Sequence, residues 1–297
     1  MSGKLKEVRE RITSVSSTQQ ITKAMKMVSA AKLRKAQESI TEMRPYADRL
    51  NKMMINILDS LEGDAASAYA HSREIKKVAI VVLTSNRGLA GAFNTNVGKE
   101  TQKVISKYPE LQKEGNIDLI FVGKKGFDYL KSRSENCNLN SDHVAMMSEI
   151  KFENTTELSQ SLMDSFVLGE YDRIYIVYGQ FKNAAVQDPV TFQFLPVPKL
   201  KVDSSKVKKR NADYIFEPSK SELLESLIPS ILQTSFYKNI LETNASEHGA
   251  RMTAMDKATE NANDLLKELK ITYNKARQES ITNEILEIVG GAAALDN

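Results

Sequence analysis

The chain has 297 residues, 41% apolar and 27% charged, with a formal net charge of +3; it carries enough apolar material for a buried core, which excludes a wholly disordered protein. A single cysteine, Cys137, excludes an intramolecular disulfide framework, and no run of about eighteen apolar residues offers a membrane-spanning helix. A soluble protein of a reducing compartment is expected, its start lacking the short apolar core of a secretory signal yet compatible with a transit peptide already removed.

The first predicted element is a helix. Leu5, Val8, Ile12 and Val15 alternate in steps of three and four, which places them in one narrow stripe. No glycine or proline interrupts residues 4–44, so the helix is expected to run to about residue 61 with one disturbance at Pro45, a length on the order of 85 Å. Its first 36 residues hold nine basic side chains against two acidic ones. That basic face suits solvent, an acidic protein partner or nucleic acid, although the first aromatic, Tyr46, arrives too late to interleave stacking rings with the charges.

An Ala-, Ser- and Asp-rich stretch at 63–73 precedes a switch to Val78, Ala79, Ile80, Val81, Val82 and Leu83, a continuous apolar run of buried-strand type. Similar runs at 117–122 and 174–178 are separated by helix-compatible stretches at 95–107 and 156–168, which argues for an α/β layer with parallel pairing. An alternating strand at 191–197, with Pro196 and Pro198, fits a sheet edge. The α/β domain is expected to span 74–218. From residue 219 the pattern is helical again, broken early by Pro229 and softened by Gly249. Met252, Met255, Thr259, Ala262, Leu266, Leu269, Tyr273 and Ala276 form a heptad seam with small or adaptable members. The predicted architecture is an antiparallel coiled coil of the terminal helices (1–61 and 219–297) with an inserted Rossmann-like α/β domain, because each amphipathic helix must bury its stripe against something.

Signals for chemistry are sparse. The loop Thr84-Ser85-Asn86-Arg87-Gly88-Leu89-Ala90-Gly91 sits where a doubly wound fold would cradle phosphate, but it has neither the three-glycine dinucleotide spacing nor a Walker GKS or GKT. A tight strand-to-helix turn with a contact role is the expectation, anion binding at a helix N-terminus the alternative. His71, His143, His248 and Cys137 lack the spacing of a zinc site, and no catalytic signature appears. The Lys199, Lys201, Lys206, Lys208, Lys209 and Arg210 cluster reads as a solvated loop.

Both ends of the chain resemble one family. Ile12-Thr13-Ser14-Val15 and the run from Thr18 through Lys23, Met25 and Lys26 to Val28 look like the first shaft helix of the gamma subunit of rotary F-type ATP synthases. The stretch from Tyr273 to Ala292, with Ile281, Thr282, Glu284, Glu287, Gly291 and Ala292 at its core, is similar to that family's C-terminal signature. Ser85-Asn86-Arg87-Gly88-Leu89-Ala90-Gly91 and Ala250-Arg251-Met252-Thr253-Ala254-Met255 add matches between them. Residues 62–73 and 132–147 match no motif, and the paired-cysteine insertion of chloroplast members is missing.

The resemblance implies a coiled-coil shaft standing inside a ring of alternating alpha and beta subunits, one copy per three of each. Its α/β foot would meet the epsilon subunit and the proteolipid c-ring, peripheral to the cytoplasmic face of a bacterial membrane or, for a mature organellar form, its mitochondrial counterpart. It implies no catalysis, cofactor or metal of the chain's own, since nucleotides bind the other subunits, and neither nucleic-acid binding nor membrane insertion. Lys23, Met25, Lys26, Arg251, Gln278, Thr282, Glu284 and Glu287 resemble the residues that contact the ring. Arg87, Gly88 and Gly91 are the corresponding foot-loop candidates, and Ala292, Ala293, Ala294 and Leu295 fit an apolar sleeve at the tip. The other readings are a basic, nucleic-acid-associated structural coiled coil and, third, a nucleotide-binding enzyme.

Overall fold

The computed structural model describes residues 3–59, 69–197 and 220–295. The elements run α1 (Gly3–Asp59), β1 (Val78–Leu83), α2 (Phe93–Ile105), α3 (Pro109–Lys113), β2 (Ile117–Val122), α4 (Lys124–Leu130), β3 (Asn138–Asn140), a 3-10 turn (Val144–Ser148), α5 (Phe152–Val167), β4 (Arg173–Phe181), β5 (Gln187–Leu195) and α6 (Lys220–Leu295). The chain divides into two compact units, one of residues 31–250 and one formed by 1–30 with 251–297. The division falls inside the two long helices, because part of each packs with the sheet.

In the larger unit the five strands lie in the order β3-β2-β1-β4-β5. The first four pair in parallel and β5 returns antiparallel to β4. Every residue of β1 is buried, as expected for a parallel strand covered on both faces. Alternation then sorts the side chains into two layers. Ala79, Val81, Leu83, Ile174 and Ile176 face Leu158, Leu162, Met163 and Phe166 of α5 together with Ile228, Ile231, Leu232, Phe236 and Ile240 of α6. Val78, Ile80, Val82, Tyr175 and Val177 face Phe93, Val97, Val104 and Ile105 of α2.

β5 is an edge strand that carries Pro189 and is followed by Pro196, where a missing N–H leaves no ladder bond unmade. Pro229 does not break the last helix: α6 passes through it. A proline removes one backbone bond, and here Ile228, Ile231 and Leu232, buried on either side, hold the helix against the sheet. Pro45 likewise lies within α1. At Gly249 the helix meets the β4-β5 turn, since an added Cβ would lie 3.3 Å from the Ala184 carbonyl. The tail of the expected α/β domain, with its basic cluster, falls outside the described residues.

In the smaller unit the two helices run antiparallel, as the order of their bonds requires. Lys4 pairs with Glu279 at 3.2 Å, Gln19 donates to Asn263 at 2.5 Å, the Thr22 and Thr259 hydroxyls lie 2.8 Å apart, and Lys26 reaches Asp256 at 2.5 Å. Met255, Ala262, Leu269 and Ala276, seven residues apart, are buried, and Met252, Thr259, Leu266 and Tyr273 between them are half-buried. All eight expected seam positions thus face inward, with Val8, Thr22 and Ser29 buried on α1. The outer ion pairs, Lys4–Glu279 and Lys26–Asp256, are largely exposed and contribute at most about 1 kcal/mol each. Burial of the seam supplies the larger share.

Candidate partner-binding surfaces

Two places invite a functional reading: the crevice at the C-terminal ends of the parallel strands, and the end of α6.

Strand order reverses at β1, so its C-terminal end is where an open α/β sheet holds ligands. Here that crevice is closed by the chain's own atoms. The N-terminal amides of α4 donate inward: Lys124 N–H to Asn86 Oδ1 at 2.9 Å, Lys125 N–H to the Ser85 carbonyl at 3.0 Å, and Gly126 N–H to Thr84 Oγ1 at 2.8 Å. These are the groups that would hold a phosphate at a helix N-terminus. An added Cβ at Gly123 would lie 2.0 Å from the Thr84 carbonyl, so glycine permits the approach of the two loops. Beside them Asn94 Oδ1 accepts from Ser85 N–H at 3.0 Å, and Gly179 of β4 lies so close under Phe93 that an added Cβ would come within 2.4 Å of the ring. Of the loop candidates, Arg87, Gly88 and Gly91 are exposed while Ala90 is buried. Between them Leu89 holds a left-handed backbone with φ 63° and its side chain 63% exposed, a conformation uncommon outside glycine. The loop therefore offers an outward-facing contact surface over a filled crevice.

The ring-contact candidates fall into three kinds. Gln278, Thr282, Glu284 and Glu287 are exposed on the last turns of α6, where Thr282 Oγ1 donates to the Gln278 carbonyl one turn earlier at 2.9 Å. Lys23 is exposed and Met25 half-buried, whereas Lys26 is held by Asp256. Arg251 is buried and engaged within the chain. The side chains of Ala292, Ala293, Ala294 and Leu295 lie outside the described residues. The sequence reading passed over Ile285 and Ile288, which with Ile281 recur at helical spacing and are all exposed, as are Leu286 and Val289. Their signal was apolar periodicity continuing past Glu279. Lys4, in the first described turn of α1, lies opposite Glu279, so the apolar periodicity continues where α6 runs beyond its pairing. A contiguous exposed apolar face rimmed by charge marks a protein-binding surface.

No helix among the described residues is long and apolar enough to cross a membrane. A family model described as ATP synthase matches residues 4–295. An ATP synthase gamma chain of Cytophaga hutchinsonii is 52% identical over 294 residues, covering 99% of each chain. The chain belongs to the ATP synthase gamma-chain family. Another gamma chain, from Flavobacterium psychrophilum, is 54% identical over 291 residues and covers 98% of each chain. Among solved structures, a chain of the Euglena gracilis mitochondrial ATP synthase rotor in rotational state 1 aligns with a TM-score of 0.64 at 25% identity, over 95% of this chain and all of that one. A chain of the Euglena OSCP/F1/c-ring assembly shares the fold at a TM-score of 0.65 and 24% identity, covering 99% of this chain and 95% of that one. Nothing in these likenesses supports the nucleic-acid reading.

Proposed function

We propose that the chain is the rotating central shaft of an F-type ATP synthase, turning inside a ring of three alpha and three beta subunits and carrying no catalysis itself. The observation that carries this reading is the end of α6, where Ile281, Ile285 and Ile288 are exposed beside Gln278, Thr282, Glu284 and Glu287. An apolar face of that kind needs a partner, and gamma-chain membership supports an enclosing ring as that partner. An asymmetric shaft makes different contacts with chemically equivalent beta subunits, so it biases each toward a different state by its differential contact energy. The basic face of α1, with Lys23 exposed, attracts acidic segments of the ring without a rigid lock. In this reading the α/β unit, through its exposed surface around Arg87 to Gly91, meets the epsilon subunit and the c-ring at the cytoplasmic face of a bacterial membrane.

Reconstitution of the cognate alpha-beta ring with and without this chain tests the proposal. One copy per ring of six and unidirectional ATP-driven rotation of a label on the α/β unit are expected. Failure to associate with the ring overturns it.

A further inference from the structure

Resting on the shaft reading, a second inference concerns how the sheet and the helices are joined within the 31–250 unit. β4 runs on beyond its parallel neighbour: β1 pairs with Arg173 through Val177 and leaves the rest of that edge uncovered. Helix side chains complete it. Ser246 Oγ on α6 donates to the Gly179 carbonyl at 2.8 Å, and Phe181 N–H donates to Glu242 Oε2 at 2.9 Å. The Phe181 carbonyl accepts from Arg44 Nη2 on α1 at 2.9 Å. Arg44 and Glu242 also bond one another as a fork, Nε to Oε1 at 2.8 Å and Nη2 to Oε2 at 3.0 Å. The Glu242 side chain is 1% exposed and that of Arg44 41%. One charged node therefore bonds α1, α6 and the end of β4 together.

α6 also meets the sheet through apolar side chains, Ile228, Ile231, Leu232, Phe236 and Ile240. Apolar burial is non-directional and resists separation more than turning, whereas a two-bond guanidinium–carboxylate fork fixes direction as well as distance. We propose that the Arg44–Glu242–Phe181 node is the torsional link of the rotor, so that turning of the sheet is passed to both helices without play. Arg44 and Glu242 are then positioning residues for rotation.

The test uses the assembled complex of this chain with its alpha and beta subunits. Cys137→Ser removes the single thiol, and Leu168→Cys, at a position 76% exposed on the sheet unit, carries a rotation probe. The angular spread of the probe about each pause is measured. Arg44→Met with Glu242→Gln removes both charges together, leaving no buried charge unpaired, and should raise the angular variance roughly twofold at unchanged stoichiometry. Arg44→Lys keeps the charge but loses the fork, and should raise it by a smaller amount. If the double variant fails to assemble, the lysine variant decides alone. A node that only stabilises the fold would lower assembly yield and leave the spread of assembled molecules unchanged, and that outcome overturns the inference. A probe-bearing complex that retains Arg44 and Glu242 but does not rotate would instead count against the shaft reading.

Discussion

Replacement of Ile285 and Ile288 by alanine separates a partner-binding face from a folding one. Each change removes three carbons, worth about 2.4 kcal/mol when fully buried at about 0.8 kcal/mol per methylene. Within the chain Ile285 is 55% and Ile288 71% exposed, so the part left for a partner to cover is about 1.3 and 1.7 kcal/mol by the same scale. The double variant should therefore lose about 3 kcal/mol of association with the alpha-beta ring, roughly a hundredfold in dissociation constant. Folding should hardly change, because alanine favours an exposed helix over isoleucine by a few tenths of a kcal/mol, and the melting temperature of the isolated chain should stay within about 2 °C. Binding is measured by titrating labelled chain into the ring, and folding by thermal unfolding. A dissociation constant within about threefold of the unsubstituted chain would refute the reasoning, as would a large fall in melting temperature, which would place the two residues in the chain's own core.

Gly179→Ala would push a Cβ to 2.4 Å from the Phe93 ring and should cost about 1–3 kcal/mol in urea unfolding, part of it recovered by adding Phe93→Leu. Thr22→Val alone should cost no more than about 1 kcal/mol, because the half-buried Thr259 hydroxyl loses Thr22 at 2.8 Å but keeps the Met255 carbonyl at 2.7 Å. Adding Thr259→Val should change stability little further, since both facing groups are then apolar. Burial first, and the Glu242 charge second, push Tyr178 up to about 12 from its ordinary 10.0, with Arg44 opposing. A raised phenol favours the neutral form in the fold, so its contribution is complete below pH 10.0 and lost as pH rises through about 12. Urea midpoints should fall across that window, and less steeply in Tyr178→Phe.

The seam from Met252 to Ala276 was legible because its spacing is a property of the helix alone: eight positions in steps of three and four can share only one face. β1 was legible for a related reason, since six consecutive apolar residues bounded by polar ones need cover on both sides. Asn138–Asn140 was not, because a three-residue polar strand owes its pairing to β2 and carries no pattern of its own. Pro229 misled in the opposite direction, its local preference being overridden by buried neighbours that only the fold supplies. Lys26 and Arg251 show the same limit in the candidate site. Motif matching identifies residue types, but the exposure of each depends on what the fold brings beside it, and Asp256 lies 230 residues from Lys26.

The filled crevice beside β1 also sets what the α/β unit can sense. With the amides of Lys124, Lys125 and Gly126 donating to residues of the loop after β1, a phosphate arriving there would have to displace three bonds and separate two loops in close approach. At that place the amides a phosphate would use are already bonded within the chain. The bonds that close this end of the sheet thus double as a cost against any anion that would enter it.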